Sequence, residues 1–117
     1  MKKINQLLVA AALMFSSIIS AQAPNLLSYQ AVIRNSSNNI VINQSVGMRI
    51  SILQSSATGT PVYVETQTAT SNANGLVSLQ IGGGTVVTGT FANINWAGNT
   101  YFVKTETDPA GGTNYSI

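Results

Sequence analysis

The stretch of residues 62–84 constrains the fold of this 117-residue chain more than any other. Along VYVETQT, valine and threonine alternate with tyrosine, glutamate and glutamine, and LVSLQI at residues 76–81 alternates again before three glycines. A period of two is typical of half-buried β-strands. The asparagines and glycine of SNANG between them tolerate the backbone angles of a tight turn. We therefore predict a β-hairpin with an apolar inner face and an outer face of Ser, Thr, Gln and Glu.

The rest of the chain shows further short alternating segments separated by turn residues. Strands are predicted at residues 27–34, 40–42, 46–54, 85–88 and 100–107, and residues 115–117 resemble the start of another. About seven strands without an amphipathic helix favour an all-β fold, an antiparallel β-sandwich of immunoglobulin-like or transthyretin-like type. A partly open barrel is the alternative. The irregular segment 89–98 contains Phe91, Ile94 and Trp96, which we expect to cap the core.

The first 21 residues have the pattern of a secretory signal peptide. Lys2 and Lys3 give a cationic start, residues 7–19 are mostly apolar, and small residues follow. An apolar run of about 13 residues is shorter than the ~20 that a membrane-spanning helix needs. We predict cleavage after Ala21, which leaves residues 22–117 as one β-sandwich module, secreted or at the cell surface, with no membrane span after cleavage.

The predicted module carries no net charge, because two of the five basic residues belong to the signal peptide. The remaining charged residues are three basic and three acidic ones, Arg34, Arg49, Lys104, Glu65, Glu106 and Asp108. A neutral module lacks the basic surface that attracts phosphate backbones, so no nucleic-acid partner is expected. The chain has no cysteine, which excludes disulfides and a lipid-modified cysteine.

Catalytic and metal-binding patterns are weak throughout the chain. The absence of histidine and cysteine excludes Ser-His-Asp and Cys-His catalysis and ordinary zinc sites. Glu106 and Asp108 have a spacing that a glycosidase pair could use, but we interpret them as solvated residues at a strand end. The glycines at 82–84 lack the lysine and helix of a phosphate loop, and Asp108 alone falls short of the roughly six oxygen ligands of calcium. We predict no enzyme activity, catalytic residues, metal or cofactor.

The alternative function is binding of a glycan by exposed aromatic side chains. Tyr63, Trp96, Tyr101 and Tyr115 could form a platform for a sugar ring. Tyr63 is the strongest candidate for an outward ring, whereas we expect Trp96 to be buried in the core. The candidate ligand-contact residues are therefore Tyr63, Trp96 and Tyr101.

Three segments of the chain carry a resemblance to a known module. They are APNLLSYQAVIRNSSNNIV, VGMRISILQSSATGTPVYVETQTATSNANGLVSLQIGGGTVVTGTFANINW and YFVKTETDPAGGTNYSI. In this order they resemble an uncharacterised N-terminal β-module of secreted Bacteroidota proteins, which often precedes fibre-like, collagen-like or tail-fibre-type regions or a sorting domain. The resemblance implies a non-catalytic structural or interaction module of an exported or cell-surface protein, and it implies no catalytic residues.

The end of the chain suggests how such a module would meet its partners. Proteins of the resembling type typically continue past the Gly-Gly-Thr-Asn-Tyr stretch into a Val-Pro-Tyr-Ala-like segment, and this sequence ends at Ile117, before it. Residues 114–117 alternate for fewer than the about 5 residues of an average strand. We expect an incomplete sandwich with an open edge, to which other extracellular or cell-surface protein segments pair by strand addition.

Overall fold

The computed structural model describes residues 26–117, so the predicted signal peptide lies outside the described residues. The elements in this range are β1 (Leu27–Val32), β2 (Ser45–Gln54), β3 (Pro61–Thr70), β4 (Leu76–Ile81), β5 (Thr85–Thr88), a 3₁₀ turn (Phe91–Asn93) and β6 (Tyr101–Asp108). No helix in this range is long and apolar enough to cross a bilayer.

The six strands form two antiparallel sheets that pack against each other. β1 and β4 make a two-stranded sheet, and β5, β3, β2 and β6, in that order, make a four-stranded sheet. The largest fully buried apolar side chains are Tyr63, Met48, Ile50, Ile52, Val46 and Val77, and they come from both sheets. The predicted all-β antiparallel sandwich is confirmed.

The alternation of β4 places its apolar residues inside as predicted. Val77, Leu79 and Ile81 are buried, whereas Ser78 and Gln80 between them are exposed. In an extended strand, successive side chains point to opposite faces, so this pattern gives β4 one apolar face against the core. In β2 the alternating apolar residues at positions 46–52 are also buried, but Gly47, Ser51 and Leu53 of its other face are buried as well.

The predicted hairpin between β3 and β4 is wrong. β3 pairs with β2 and β5, whereas β4 pairs with β1 in the other sheet. The turn between them is tied to the segment before β2, because the Ser71 N–H donates to the Gln44 carbonyl at 2.9 Å. The Asn72 Oδ1 accepts the N–H groups of Asn74 and Leu76 at 2.8 and 3.0 Å. These bonds direct the chain from one sheet to the other.

Two predicted strands each form a single bridge instead. Ile40, from predicted strand 40–42, bridges Arg34 beyond the end of β1. Ser116 bridges Thr107 on β6, and these two residues exchange backbone hydrogen bonds of 2.8 and 3.0 Å. The described residues therefore contain six strands, fewer than the about seven that the turn spacing predicted.

Exposure rises sharply across one row of the four-stranded sheet. Ile52 on β2 pairs with Tyr63 on β3 and with Val103 on β6. Tyr63 and Ile52 are 0% exposed, whereas Val103 is 49% exposed. All three side chains lie on the face that points to the core, because directly paired residues share a face. The two-stranded sheet therefore covers β3 and β2 but leaves this part of β6 uncovered.

Candidate functional site

Four aromatic rings form a row from the core to the surface, which we call the aromatic row (Tyr63, Phe91, Trp96 and Tyr101). Neighbouring ring centroids lie 5.2, 5.7 and 5.2 Å apart, with interplanar angles of 70°, 64° and 68°. Such edge-to-face contacts are favourable for aromatic pairs. They hold the outer rings in fixed orientations on top of the core.

The aromatic row changes the roles predicted for the candidate ligand-contact residues. Tyr63, predicted to point outward, is fully buried and cannot contact a ligand in solution. Trp96, predicted to be buried, is 44% exposed. Phe91 packs on Tyr63 and closes the core there, so the indole lies outside it. Tyr101 is partly buried, and its hydroxyl donates to the Asn95 carbonyl at 3.0 Å.

The structure thus brings together Trp96 and Tyr101 of the predicted aromatic platform. Their rings meet edge to face, so they offer one exposed indole and not a flat surface of several rings. A shallow cavity of about 270 Å³ beside Tyr101 is lined in part by Gln54, Asn93 and Asn95, whose side chains end in amides. Amides both donate and accept hydrogen bonds, which suits a neutral polyhydroxyl ligand.

Tyr115, the fourth ring named from the sequence, lies on the opposite face of the four-stranded sheet. The Arg49 guanidinium lies 5.0 Å from the centroid of its ring, a cation–π distance. The same guanidinium forms two hydrogen bonds with the Glu106 carboxylate, at 3.1 and 2.7 Å. Tyr115 therefore covers an ion pair and takes no part in the aromatic row.

Glu106 and Asp108 were predicted to be solvated, and this is wrong because both are buried. The hydrogen bonds from Arg49 lower the pKa of Glu106 below its ordinary value, and Lys104 lies 3.6 Å away. The same hydrogen bonds raise the pKa of the Arg49 guanidinium. The two carboxylate oxygens of Asp108 accept the N–H groups of Ala110 and Asn114, each at 3.0 Å. Both acidic side chains thus hold the C-terminal segment and β6 in place.

Glu65 was predicted to lie on the outer, solvent-facing side of its strand, and this is wrong. This side chain is fully buried and accepts the N–H groups of Gly82 and Gly84, each at 2.5 Å. The amide of Gln67 donates to the same carboxylate at 3.0 Å and to the Gln80 carbonyl at 2.7 Å. We call this group the Glu65 clamp (Glu65, Gln67, Gly82 and Gly84). It joins β3 to the end of β4.

One signal in the sequence could have revealed the Glu65 clamp. Glu65 has the same parity as Tyr63, so burial of the ring predicts burial of the carboxylate. A buried carboxylate needs donors, and glycines that follow β4 can bring backbone N–H groups close to it. Because two of these N–H groups bind Glu65, residues 82–84 do not present them to a phosphate.

The hydroxyl of Tyr63 is the exception to this pattern of satisfied polar groups. It is buried, and no partner for it lies among residues 26–117. Burial raises the pKa of Tyr63, and the nearby negative charge of Glu65 raises it further. In the same range, no group of three or more His, Cys, Asp or Glu side chains is placed to hold a metal ion.

Together, these features define a small antiparallel β-sandwich in which the acidic side chains make structural hydrogen bonds. Residues 28–116 match a family described as a domain of unknown function (DUF8740), and the chain belongs to this family. The match extends from β1 to the Ser116 bridge. Comparison with curated proteins and with solved structures gives no match.

Proposed function

We propose that the chain is a non-catalytic structural or interaction module of an exported protein, located at the cell surface or outside the cell. One observation carries the proposal: all three acidic side chains of the sequence, Glu65, Glu106 and Asp108, are buried in hydrogen bonds that hold the fold. A general acid or base must reach a substrate proton, and these carboxylates are engaged elsewhere. The signal-peptide pattern and the resemblance to N-terminal modules of secreted Bacteroidota proteins support export.

The partners in this proposal are segments of other extracellular or cell-surface proteins that pair by strand addition. The balance of three basic and three acidic residues in the predicted module, residues 22–117, gives nucleic acid no attractive surface. Strand addition instead needs unpaired backbone groups at a sheet edge, which an antiparallel sandwich offers.

Export is tested by expressing the full sequence with a C-terminal tag and measuring the mass of the protein outside the cytoplasm. We expect a mature N-terminus at or near Gln22. Recovery of the protein only with an intact Met1 in the membrane fraction would contradict export.

Interaction is tested by placing a photoreactive amino acid at exposed positions of the exported protein, one at a time. Suitable positions are Val87 on β5, Trp96 in the aromatic row and Gln30 on β1, all of which are exposed. We expect covalent adducts with another surface polypeptide at one of these positions and not at all of them. No adduct at any position would contradict an interaction module.

A second candidate function, carbohydrate binding, is favoured by the exposure of the Trp96 indole beside an amide-lined cavity. The chain has one tryptophan, so its fluorescence reports on this ring alone. Titration with a panel of soluble glycans should change the emission in a saturable way if a sugar stacks on the indole. Trp96→Ala should then lose binding, whereas Phe102→Ala, at another exposed aromatic, should bind normally. A flat titration with every glycan would reject this candidate.

A further inference from the structure

The two edges of the small sheet differ in how many of their backbone groups are bound. Directly after β1, the Ile33 N–H donates to the carbonyl of Gly75, the residue before β4, at 2.9 Å, which continues the register that pairs Val32 with Leu76. In an antiparallel ladder, bonded and non-bonded pairs alternate. The backbone groups of Ser28, Gln30 and Val32 therefore point away from β4.

The opposite strand confirms this alternation. The carbonyl of Gln80, which is paired in register with Ser28, accepts its hydrogen bond from Gln67 on β3. The carbonyl of Leu76, paired with Val32, accepts from the Asn72 N–H at 3.0 Å. The outer edge of β4 is thus bound by neighbouring segments at Leu76 and Gln80, on both sides of Ser78, whereas within residues 26–117 no hydrogen bond reaches the outward backbone groups of β1 at Ser28, Gln30 and Val32.

The free edge of β1 lies next to the uncovered part of β6. The hydroxyls of Tyr29 on β1 and Thr105 on β6 are 3.3 Å apart, so these strands share one side of the sandwich. On this side Val103 points toward the core yet is 49% exposed. An unbound strand edge and an uncovered apolar side chain therefore lie on the same side of the sandwich, which we call the β1 vacancy (the edge of Ser28, Gln30 and Val32, with Val103 toward its Ser28 end).

We propose, as an extension of the proposed function, that the β1 vacancy binds one extended polypeptide strand with valine, isoleucine or threonine at alternate positions. Its backbone would pair with the outward groups of β1. Its inward side chains would cover Val103, and its outward side chains would continue the polar surface that Ser28 and Gln30 form on β1. β1 and the inner face of β6 carry no charged side chain there, so a neutral strand fits.

The geometry favours a single strand over a second folded copy of this chain. β6 extends beyond β1, since β1 does not cover Val103. A second sandwich that approached β1 edge to edge would bring its own larger sheet against the projecting β6. The bridge between Arg34 and Ile40 uses the Ile33 carbonyl and the Asn35 N–H, which lie on the β4 side of β1, so it leaves the free edge open.

The test uses a soluble heptapeptide of alternating threonine and valine, with blocked ends, and the exported protein. Amide hydrogen exchange is followed by NMR with and without the peptide. We expect the amides of Gln30 and Val32 to exchange rapidly in the free protein and at least about tenfold more slowly with the peptide, because unpaired edge amides gain a partner. The Ser78 amide, on the other edge of the sheet, should not change.

Two proline variants separate the two edges of the same sheet. Gln30→Pro removes an N–H that points into the β1 vacancy, and proline is tolerated at sheet edges. Ser78→Pro is the matched control, because Ser78 is the register partner of Gln30 and its N–H points to the opposite edge. We expect Gln30→Pro to weaken peptide binding at least about tenfold and Ser78→Pro to change it less than about twofold.

A second pair of variants tests the same binding site without proline substitutions, in case either proline variant fails to fold. Val103→Thr keeps the shape of the side chain while making it polar, and should weaken peptide binding several-fold. Val86→Thr makes the same change at an exposed valine on β5 and should leave binding unchanged.

Three results would overturn the inference. They are slow exchange of the Gln30 and Val32 amides in the free monomer, protection that appears only as protein concentration rises, and equal peptide binding by both members of each variant pair. The first would mean that the chain itself fills the position, and the second that another copy does.

Failure of this inference can be distinguished from failure of the proposed function. Photoadducts at Val87 or Trp96 without peptide binding at β1 would leave the proposed function standing. Failure of export would contradict the proposed function whether or not the peptide binds.

Discussion

The two long sides of this sandwich are built in opposite ways. On the side of β3 and β4, the Glu65 clamp binds backbone N–H groups and closes the gap between the sheets. On the side of β1 and β6, the hydroxyls of Tyr29 and Thr105 form a hydrogen bond between the strands, and Val103 is half-exposed. The difference shows that a buried carboxylate joins the two sheets on one side, whereas apolar surface is left on the side where they are not joined.

The path of the chain explains the difference. The short connections at residues 71–75 and 82–84 both run between the sheets at β4. Their backbone groups need hydrogen-bond partners when buried, and Asn72 and Glu65 provide them. No comparably short connection joins β1 to β6 within residues 26–117, so that side has no backbone to bury and no clamp.

The largest expected effect is on the side of β3 and β4, where the Glu65 clamp lies. Glu65→Ala removes the acceptor of two buried N–H groups and of the Gln67 amide, so we expect a loss of roughly 3 to 5 kcal/mol in the free energy of unfolding. Urea denaturation measures it. Glu65→Gln, which keeps one acceptor oxygen, should lose less. A loss below about 1 kcal/mol for the alanine variant would mean that the clamp does not hold the sheets together.

The next largest expected effect concerns the ion pair between Arg49 and Glu106, which holds β6 to β2. Glu106→Gln weakens the paired hydrogen bonds with Arg49, whose side chain is 40% exposed, so we expect a loss of about 1 to 2 kcal/mol. Lys104→Gln, at the longer 3.6 Å contact, should change stability by less than about 0.5 kcal/mol. Equal losses in both variants would show that the geometry with Arg49 does not matter.

The same ion pair predicts a pH dependence. The folded state lowers the pKa of Glu106 below its ordinary value of 4.5, so the pair stabilises the protein above that pH. This contribution is lost as pH falls below 4.5 and through the folded pKa. Thermal unfolding between neutral and strongly acidic pH should therefore show a smaller acid-induced decrease for Glu106→Gln than for the parent. Parallel curves would contradict the assignment.

The smallest expected effects on stability are at Tyr63 and Val103, which lie in one row of the four-stranded sheet. Tyr63→Phe removes a buried hydroxyl that has no partner among the described residues, and we expect stability to rise by up to about 1 kcal/mol. A clear loss would show that the hydroxyl is bound.

Val103→Thr, at the uncovered end of the row, should change stability by no more than about 0.5 kcal/mol in the free protein. A loss above about 1 kcal/mol would mean that Val103 is buried in solution.

Several features of the fold could be predicted from local sequence. The strand positions of β1 to β6 follow from alternation. The burial of Val77, Leu79 and Ile81 also follows from parity. The bridges of Ile40 and Ser116 were overestimated as strands, because alternation over a few residues does not show whether a partner strand lies alongside.

The candidate site was predicted less well, for a physical reason that applies to each residue. Tyr63 and Trp96 exchanged their expected exposures because Phe91, an apolar residue of the same segment as Trp96, packs on Tyr63 first. Composition identifies aromatic residues but does not rank which one reaches the core. The role of Glu65 depends on donors that lie 17 and 19 residues further along the chain.

By itself, the sequence determined the β class, the positions of the strands and the inner face of β4, because side-chain alternation is a property of each strand alone. The sheet to which each strand belongs was decided by the tertiary structure. So were the crossing between β3 and β4, the burial of Glu65 and the uncovered flank of β6 at Val103. These features depend on hydrogen bonds and packing between distant segments, and local periodicity carries no information about which distant backbone groups will meet.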